Sequence, residues 1–135
     1  NLTTAFNGCR VVLPVMSAQR AGSVVNVAST AGEFGSITPA SHYAAAKGGV
    51  IGLTKSLARE VGEFNVRVNA LSPGPTDTPA LGADTPEQKS AAGRRTLFGR
   101  LGRPEEVAYC AVFLLSDLST FVTGQVLGVN GGSRL

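Results

Sequence analysis

The octapeptide HYAAAKGG, residues 42–49, sets Tyr43 four residues ahead of Lys47 in a chain with only two tyrosines and three lysines. Positions four apart on a helix lie about 5–6 Å apart at Cβ, and three intervening alanines leave phenol and ammonium on one side with little bulk between them. A phenol titrates near ~10, so passing a proton at neutral pH asks for about 4 kcal/mol of help. A unit positive charge about 5.5 Å away, at an effective dielectric near 20, supplies about 3 kcal/mol. The dipole of a helix's first turn favours an anion by up to about 1 kcal/mol more. Such a pair is competent for general acid/base work. The same spacing also fits a tyrosine packed at a helix start beside a solvated lysine.

A second hydroxyl follows a different element. Ser29 comes directly after VVNVA, so a strand there would leave the serine just past its carboxyl end. Strand-end serines most often cap or turn the chain. Convergence adds weight: Pro73-Gly74 follows the next strand-like run, and ligands of open α/β sheets bind beyond the carboxyl ends of the strands. Three Val-rich runs bounded by Gly, Pro, Ser or Asn read as strands, at 22–29, 65–73 and 124–132. The first and third are apolar at nearly every position, as in strands covered on both faces. Helices are expected at 2–20, 41–61 and 104–116. Pro14 should bend or shorten the first, Gly62 should cap the second, and Arg103-Pro104-Glu105-Glu106 starts the third. Residues 73–88, PGPTDTPALGADTPEQ, read as a loop at a strand end, either a lid or plain surface. This alternation predicts an α/β fold, a partial doubly wound, Rossmann-like parallel sheet with flanking helices.

Composition bounds the remainder. At 135 residues and 43% hydrophobic content the chain suits one domain, residues 1–135. No stretch nears the roughly 20 apolar residues of a membrane span, and the start carries no signal-peptide pattern, so a cytoplasmic protein without membrane contact is expected. Cys9 and Cys110 stand far apart and His42 is the lone histidine, which predicts no metal site. The net charge of +3 rests on only 16% charged residues, too dilute for a nucleic-acid surface to be the first expectation. One cluster stands out: Arg94, Arg95, Arg100 and Arg103 within residues 93–103, either a solvated loop or a contact for a phosphorylated or carboxylated ligand.

Taken together, NLTTAF, VVNVAS, YAAAKGGVIGLTKSLARE, VRVNALSPGPTDTP, GRPEEVAYCAVFLLSD and TGQVLGVNGG resemble the classical short-chain dehydrogenase/reductase family along essentially the whole chain. The resemblance implies an NAD- or NADP-dependent oxidoreductase interconverting a small-molecule alcohol and a ketone or aldehyde. It implies Tyr43 as the acid/base and Ser29 as the hydrogen-bond donor to the substrate oxygen. Lys47 would hold the nicotinamide ribose and activate the phenol, and Asn1 would anchor a proton-relay water. Pro73, Gly74 and Thr76 would line the nicotinamide pocket, with Thr78 contacting phosphates or carboxamide. It also implies a homo-oligomer, dimer or tetramer, packing through the helix of Tyr43. The family's Gly-rich turn, which cradles the cofactor pyrophosphate, has no counterpart in these residues. The expectation is therefore a C-terminal catalytic portion that starts in mid-domain at Asn1 and is inactive alone. The alternative is a non-catalytic truncated relative serving as an oligomerisation or interaction module. Residues 79–98 would set the substrate.

Overall fold

The computed structural model describes residues 1–134. Helix α1 (Leu2–Gln19) leads to strand β1 (Gly22–Val27), the short helix α2 (Thr30–Phe34) and the long helix α3 (Ser41–Val61). Strand β2 (Val66–Pro73), helices α4 (Pro86–Gly93) and α5 (Pro104–Leu115) and strand β3 (Val126–Val129) complete the order. The strands form one parallel sheet in the order β1-β2-β3, with Val24 opposite Val68, Val27 opposite Leu71 and Pro73 opposite Val129.

Side-chain alternation along the strands sorts the helices into two layers. Val66 and Val68 pack with Cys9 and Leu13 of α1 and with Ala58 and Val61 of α3, while Ala70 meets Ala28 and Val50 nearer the carboxyl ends. Asn26, on the same face, donates to Thr54 Oγ1 at 3.0 Å and accepts a long bond from Cys9 Sγ at 3.7 Å, so these two buried polar side chains, Asn26 and Thr54, are partnered. Burial pushes the Cys9 thiol up, against the opposing hydrogen bond to Asn26. The neighbouring positions face the other way. Ser23 Oγ and Arg67 Nη1 both donate to the Leu114 carbonyl, at 2.9 and 2.7 Å, where the guanidinium meets the negative end of α5. Both crossovers step along the sheet in one direction, yet α3 and α5 lie on opposite faces, so the two have opposite hands. One of them departs from the right-handed rule for parallel connections.

Several expectations change. Pro14 does not shorten α1, which runs on to Gln19 and ends with Arg20 in the left-handed region at φ 53°. Gly62 does stand at the C-cap of α3 as expected, but in a right-handed conformation, φ −59°, and a 3-10 turn (Gly62–Phe64) postpones the left-handed reversal to Asn65 at φ 58°. Asn is among the few non-glycine residues that take this conformation readily, and here its side chain is held by a long-range bond, donating to the Arg20 carbonyl at 3.2 Å. The best covered strand is β2, not the two apolar runs, because β1 and β3 are the sheet's edges. β3 shrinks to four residues between Gly124 and the pair Gly131-Gly132, all three at positive φ. Within the expected loop, Thr85 and Gln88 form a capping box that starts α4.

Candidate active site

Ser29 occupies the N-cap of α2, where its Oγ accepts from the Ala31 N–H at 3.2 Å. The hydroxyl is thus fixed two residues past the carboxyl end of β1. Tyr43 sits in the first turn of α3, and one turn on, the Lys47 ammonium lies 5.7 Å from the centre of its ring. Lys47 Nζ also donates to the Val27 carbonyl at 2.7 Å, which ties α3 to the end of β1. An ammonium carries three donors, so two remain for other partners. The closeness of α2 to α3 requires a glycine. A Cβ on Gly32 would lie 2.5 Å from the Lys47 carbonyl carbon and 2.7 Å from Gly48 N.

The end of β2 supplies the opposite wall. Gly74 N–H donates to the Val129 carbonyl at 3.0 Å, and a Cβ at Gly74 would stand 2.7 Å from Asn130 Cβ, so this glycine is needed for strand-end packing. Thr76 forms a parallel bridge with Gly102, built from Gly102 N to Pro75 O at 3.0 Å and Asp77 N to Gly102 O at 2.9 Å. The segment from 77 to 101 therefore leaves and returns at one point. Glu106 fastens the return: it accepts both Arg100 Nη atoms at 2.8 Å and the Arg103 N–H at 2.7 Å. The Arg100 hydrogen bonds, with that backbone bond, hold the Glu106 carboxyl down at about 2.

These walls enclose one cavity of about 450 Å³. Ser29, Tyr43, Lys47, Pro73, Gly74, Thr76 and Thr78 all line it. Asn1 does not. It precedes α1, its side chain makes no capping bond, and its carbonyl accepts from the Ala5 N–H at 3.2 Å. Leu81 from the 3-10 turn Pro79–Leu81, and Pro104 and Val107 from α5, add apolar surface. Leu81 falls within the segment expected to set the substrate. Pro104 and Val107 had no signal in the sequence, because their helix reads as a plain crossover and only its docking over the strand ends brings them in. Among the described residues no helix is long and apolar enough to cross a membrane, and no group of three or more His, Cys, Asp or Glu side chains gathers at one point.

The family model described as enoyl-(acyl carrier protein) reductase matches residues 1–134. The chain belongs to the short-chain dehydrogenase/reductase family. Among its short-chain dehydrogenase/reductase relatives, the 3-oxoacyl-(acyl-carrier-protein) reductase FabG of Thermotoga maritima is 46% identical over 98% of this chain and 53% of the relative. The proteins of the same name from Chlamydia trachomatis and Vibrio cholerae are 42% and 44% identical over 98% of this chain, and over 53% and 54% of their own lengths. A crystal structure of 3-oxoacyl-(acyl-carrier protein) reductase from Brucella melitensis superposes with a TM-score of 0.92 at 45% identity, covering 98% of this chain and 49% of that one. A second, with bound NAD, gives 0.86 at 44% identity, with 98% and 48% covered. The chain spans about half the length of the curated relatives it matches.

Proposed function

We propose that this chain carries the catalytic side of an NAD- or NADP-dependent oxidoreductase that interconverts a carbonyl and an alcohol. One observation carries the reading: a serine, a tyrosine and a lysine from two elements face a single cavity whose other wall is the Pro73–Thr78 strand end. Two hydroxyls beside one ammonium suit a reaction in which a carbonyl oxygen gains a proton while its carbon gains a hydride. Lys47 and Tyr43 fit the nicotinamide ribose end of the cofactor, since ammonium and phenol offer hydrogen bonds beside the apolar floor of Val27, Ala28 and Pro73. When bound, the nicotinamide supplies or takes the hydride.

The chain's own residues do the rest. Ser29 hydrogen-bonds the substrate oxygen, and its position is set by the α2 cap. Tyr43 passes the proton to or from that oxygen. Lys47 sets its ammonium 5.7 Å from the centre of the Tyr43 ring, with two donors free for the ribose hydroxyls. Thr76 and Thr78 hold the carboxamide side, steadied through the bridge to Gly102. Leu81 and Val107 shield the reacting atoms from water. Asn1, at the start of α1, anchors the relay water that reconnects the phenol with solvent. The names of the relatives support a 3-oxoacyl thioester as substrate, and the exposed Phe6, Val11 and Val15 of α1 support a homo-oligomer as the working form.

The test uses the whole gene product with NADH or NADPH and an acetoacetyl thioester. Consumption of reduced cofactor with formation of the 3-hydroxy product is expected. Reduction of an enoyl thioester with no action on the ketone would overturn the reading. The exposed Phe6, Val11 and Val15 of α1 favour a second one, a non-catalytic oligomerisation module. Absence of both turnover and cofactor binding in the whole gene product would select it.

A further inference from the structure

A second cavity, of about 290 Å³, opens beside the first. The chain passes from one to the other at two places. Ser29 lines the first and the next residues, Thr30 and Ala31, line the second; Pro75 lines the second between Gly74 and Thr76 of the first. The two cavities are therefore lined by consecutive residues of both segments, which sets the second next to the Ser29 end of the first.

The chemistry of the second cavity is different. Arg95 and Arg134 bring two guanidinium side chains, Thr30, Ser36 and Ser133 bring hydroxyls, and the lining contains no Asp or Glu. The arginines of residues 93–103 have separated in the fold. Arg94 donates to Ser90 Oγ, and Arg100 and Arg103 lie on Glu106. Among the described residues the side chains of Arg95 and Arg134 have no hydrogen-bond or ion-pair partner. Ser133 Oγ is shut off from solvent and likewise unpartnered. Buried hydroxyls are nearly always satisfied, and guanidinium groups match the paired oxygens of carboxylates and phosphates. Two open cations beside the Thr30 and Ser36 side chains, with no Asp or Glu among the described lining residues, form the complement of an oxyanion.

We infer that the second cavity binds an anionic group, carboxylate or phosphate, at the far end of the substrate, so that the enzyme prefers negatively charged carbonyl compounds. The inference rests on the oxidoreductase reading for what fills the first cavity. Because both arginines are exposed, the preference is moderate and weakens as salt rises.

The experiment separates the two readings by measuring binding without turnover. In the whole gene product carrying Tyr43→Phe, calorimetry compares acetoacetate, hydroxyacetone phosphate and the neutral ethyl acetoacetate. At least one anion is expected to bind about tenfold more tightly than the ester, as charge-assisted pairs at a surface allow. Which of the two does so tells carboxylate from phosphate. Adding Arg95→Gln and Arg134→Gln is expected to bring the ratio of anion to ester affinity close to one. The subsite is overturned if neither anion binds measurably, if both bind no better than the ester, or if the ratio survives the arginine substitutions. If the ratio behaves as expected while the unsubstituted protein consumes no NAD(P)H with any of the three ketones, the subsite stands and the oxidoreductase reading falls.

Discussion

The phenol of Tyr43 shares its cavity with a lysine one helical turn away and with Ser29 at the cap of α2, and each can be removed separately. Tyr43→Phe keeps the ring and deletes the proton. Turnover should fall by about 10²–10⁴, the usual worth of a positioned acid/base, while the dissociation constant of the cofactor changes little. Stopped-assay rates beside a fluorescence titration with NADH and NADPH would show it; near-normal turnover refutes the role. Lys47→Met deletes a charge 5.7 Å from the ring and the bond to the Val27 carbonyl. Without that ammonium and its two remaining donors, cofactor binding should weaken, read as a higher dissociation constant in the same NADH and NADPH titration. An unchanged dissociation constant would count against Lys47 holding the cofactor.

The elements around these residues make predictions of their own. Gly32→Ala places a Cβ 2.5 Å from backbone in α3, and backbone cannot yield as a flexible side chain can. Overpacking of this kind costs about 1–3 kcal/mol, visible as a lower Tm, with activity lost as Ser29 shifts away from Tyr43. Gly52→Ala, further along α3, meets nothing within 4 Å and should raise stability by about 0.5–1 kcal/mol through helix propensity. A drop instead would mean that this face of α3 packs on another chain.

Glu106 gives the turn at 98–106 a defined acid response. Its folded value of about 2 lies below the ordinary 4.5, so the unfolded state takes up the proton first as pH falls. Its contribution is complete above about 4.5 and disappears as the pH drops to about 2. Thermal melts of wild type and Glu106→Gln should therefore differ near neutrality and converge at the acid end. A constant gap across that window would mean that the Arg100 pair contributes nothing.

At the scale of the whole molecule, a three-stranded sheet with two helices on one face and one on the other leaves much apolar surface uncovered. Of the 18 residues of α1 only Cys9 and Leu13 are buried, and Phe6, Val11 and Val15 are exposed. β1 presents an outer edge that no strand pairs with among the described residues. Open edges and apolar helix faces recruit other chains. The 135-residue polypeptide on its own should thus sediment as an assembly at micromolar concentration, and bind NADH or NADPH only weakly. A monodisperse monomer of 13.8 kDa with saturable micromolar affinity would contradict this.

How much of this could be read from residue order depends on the distance over which each interaction acts. The meeting of Tyr43 and Lys47 is a property of one helical turn. Ser29 at a strand end and Pro73-Gly74 at the next were legible for a similar reason, since Val-rich runs and their Gly, Pro and Ser boundaries impose local geometry. Parallel pairing then carries those ends to one side of the sheet. Other features depend on which surfaces found each other. Neighbouring residues could not tell that α5 lies opposite α3, that β2 rather than the more apolar runs is the covered strand, or that Asn65 takes the reversal assigned to Gly62. Nor could they separate Arg95 from Arg100 and Arg103. Eleven consecutive positions make four arginines look alike; Glu106, three and six residues on, pairs with Arg103 and Arg100, while Arg95 faces a cavity whose other walls come from residues 30–37, 75 and 133–134. Local sterics and hydrogen bonding are written into sequence spacing, whereas burial, crossover hand and the assembly of cavity walls arise between segments far apart in the chain, and only folding brings them together.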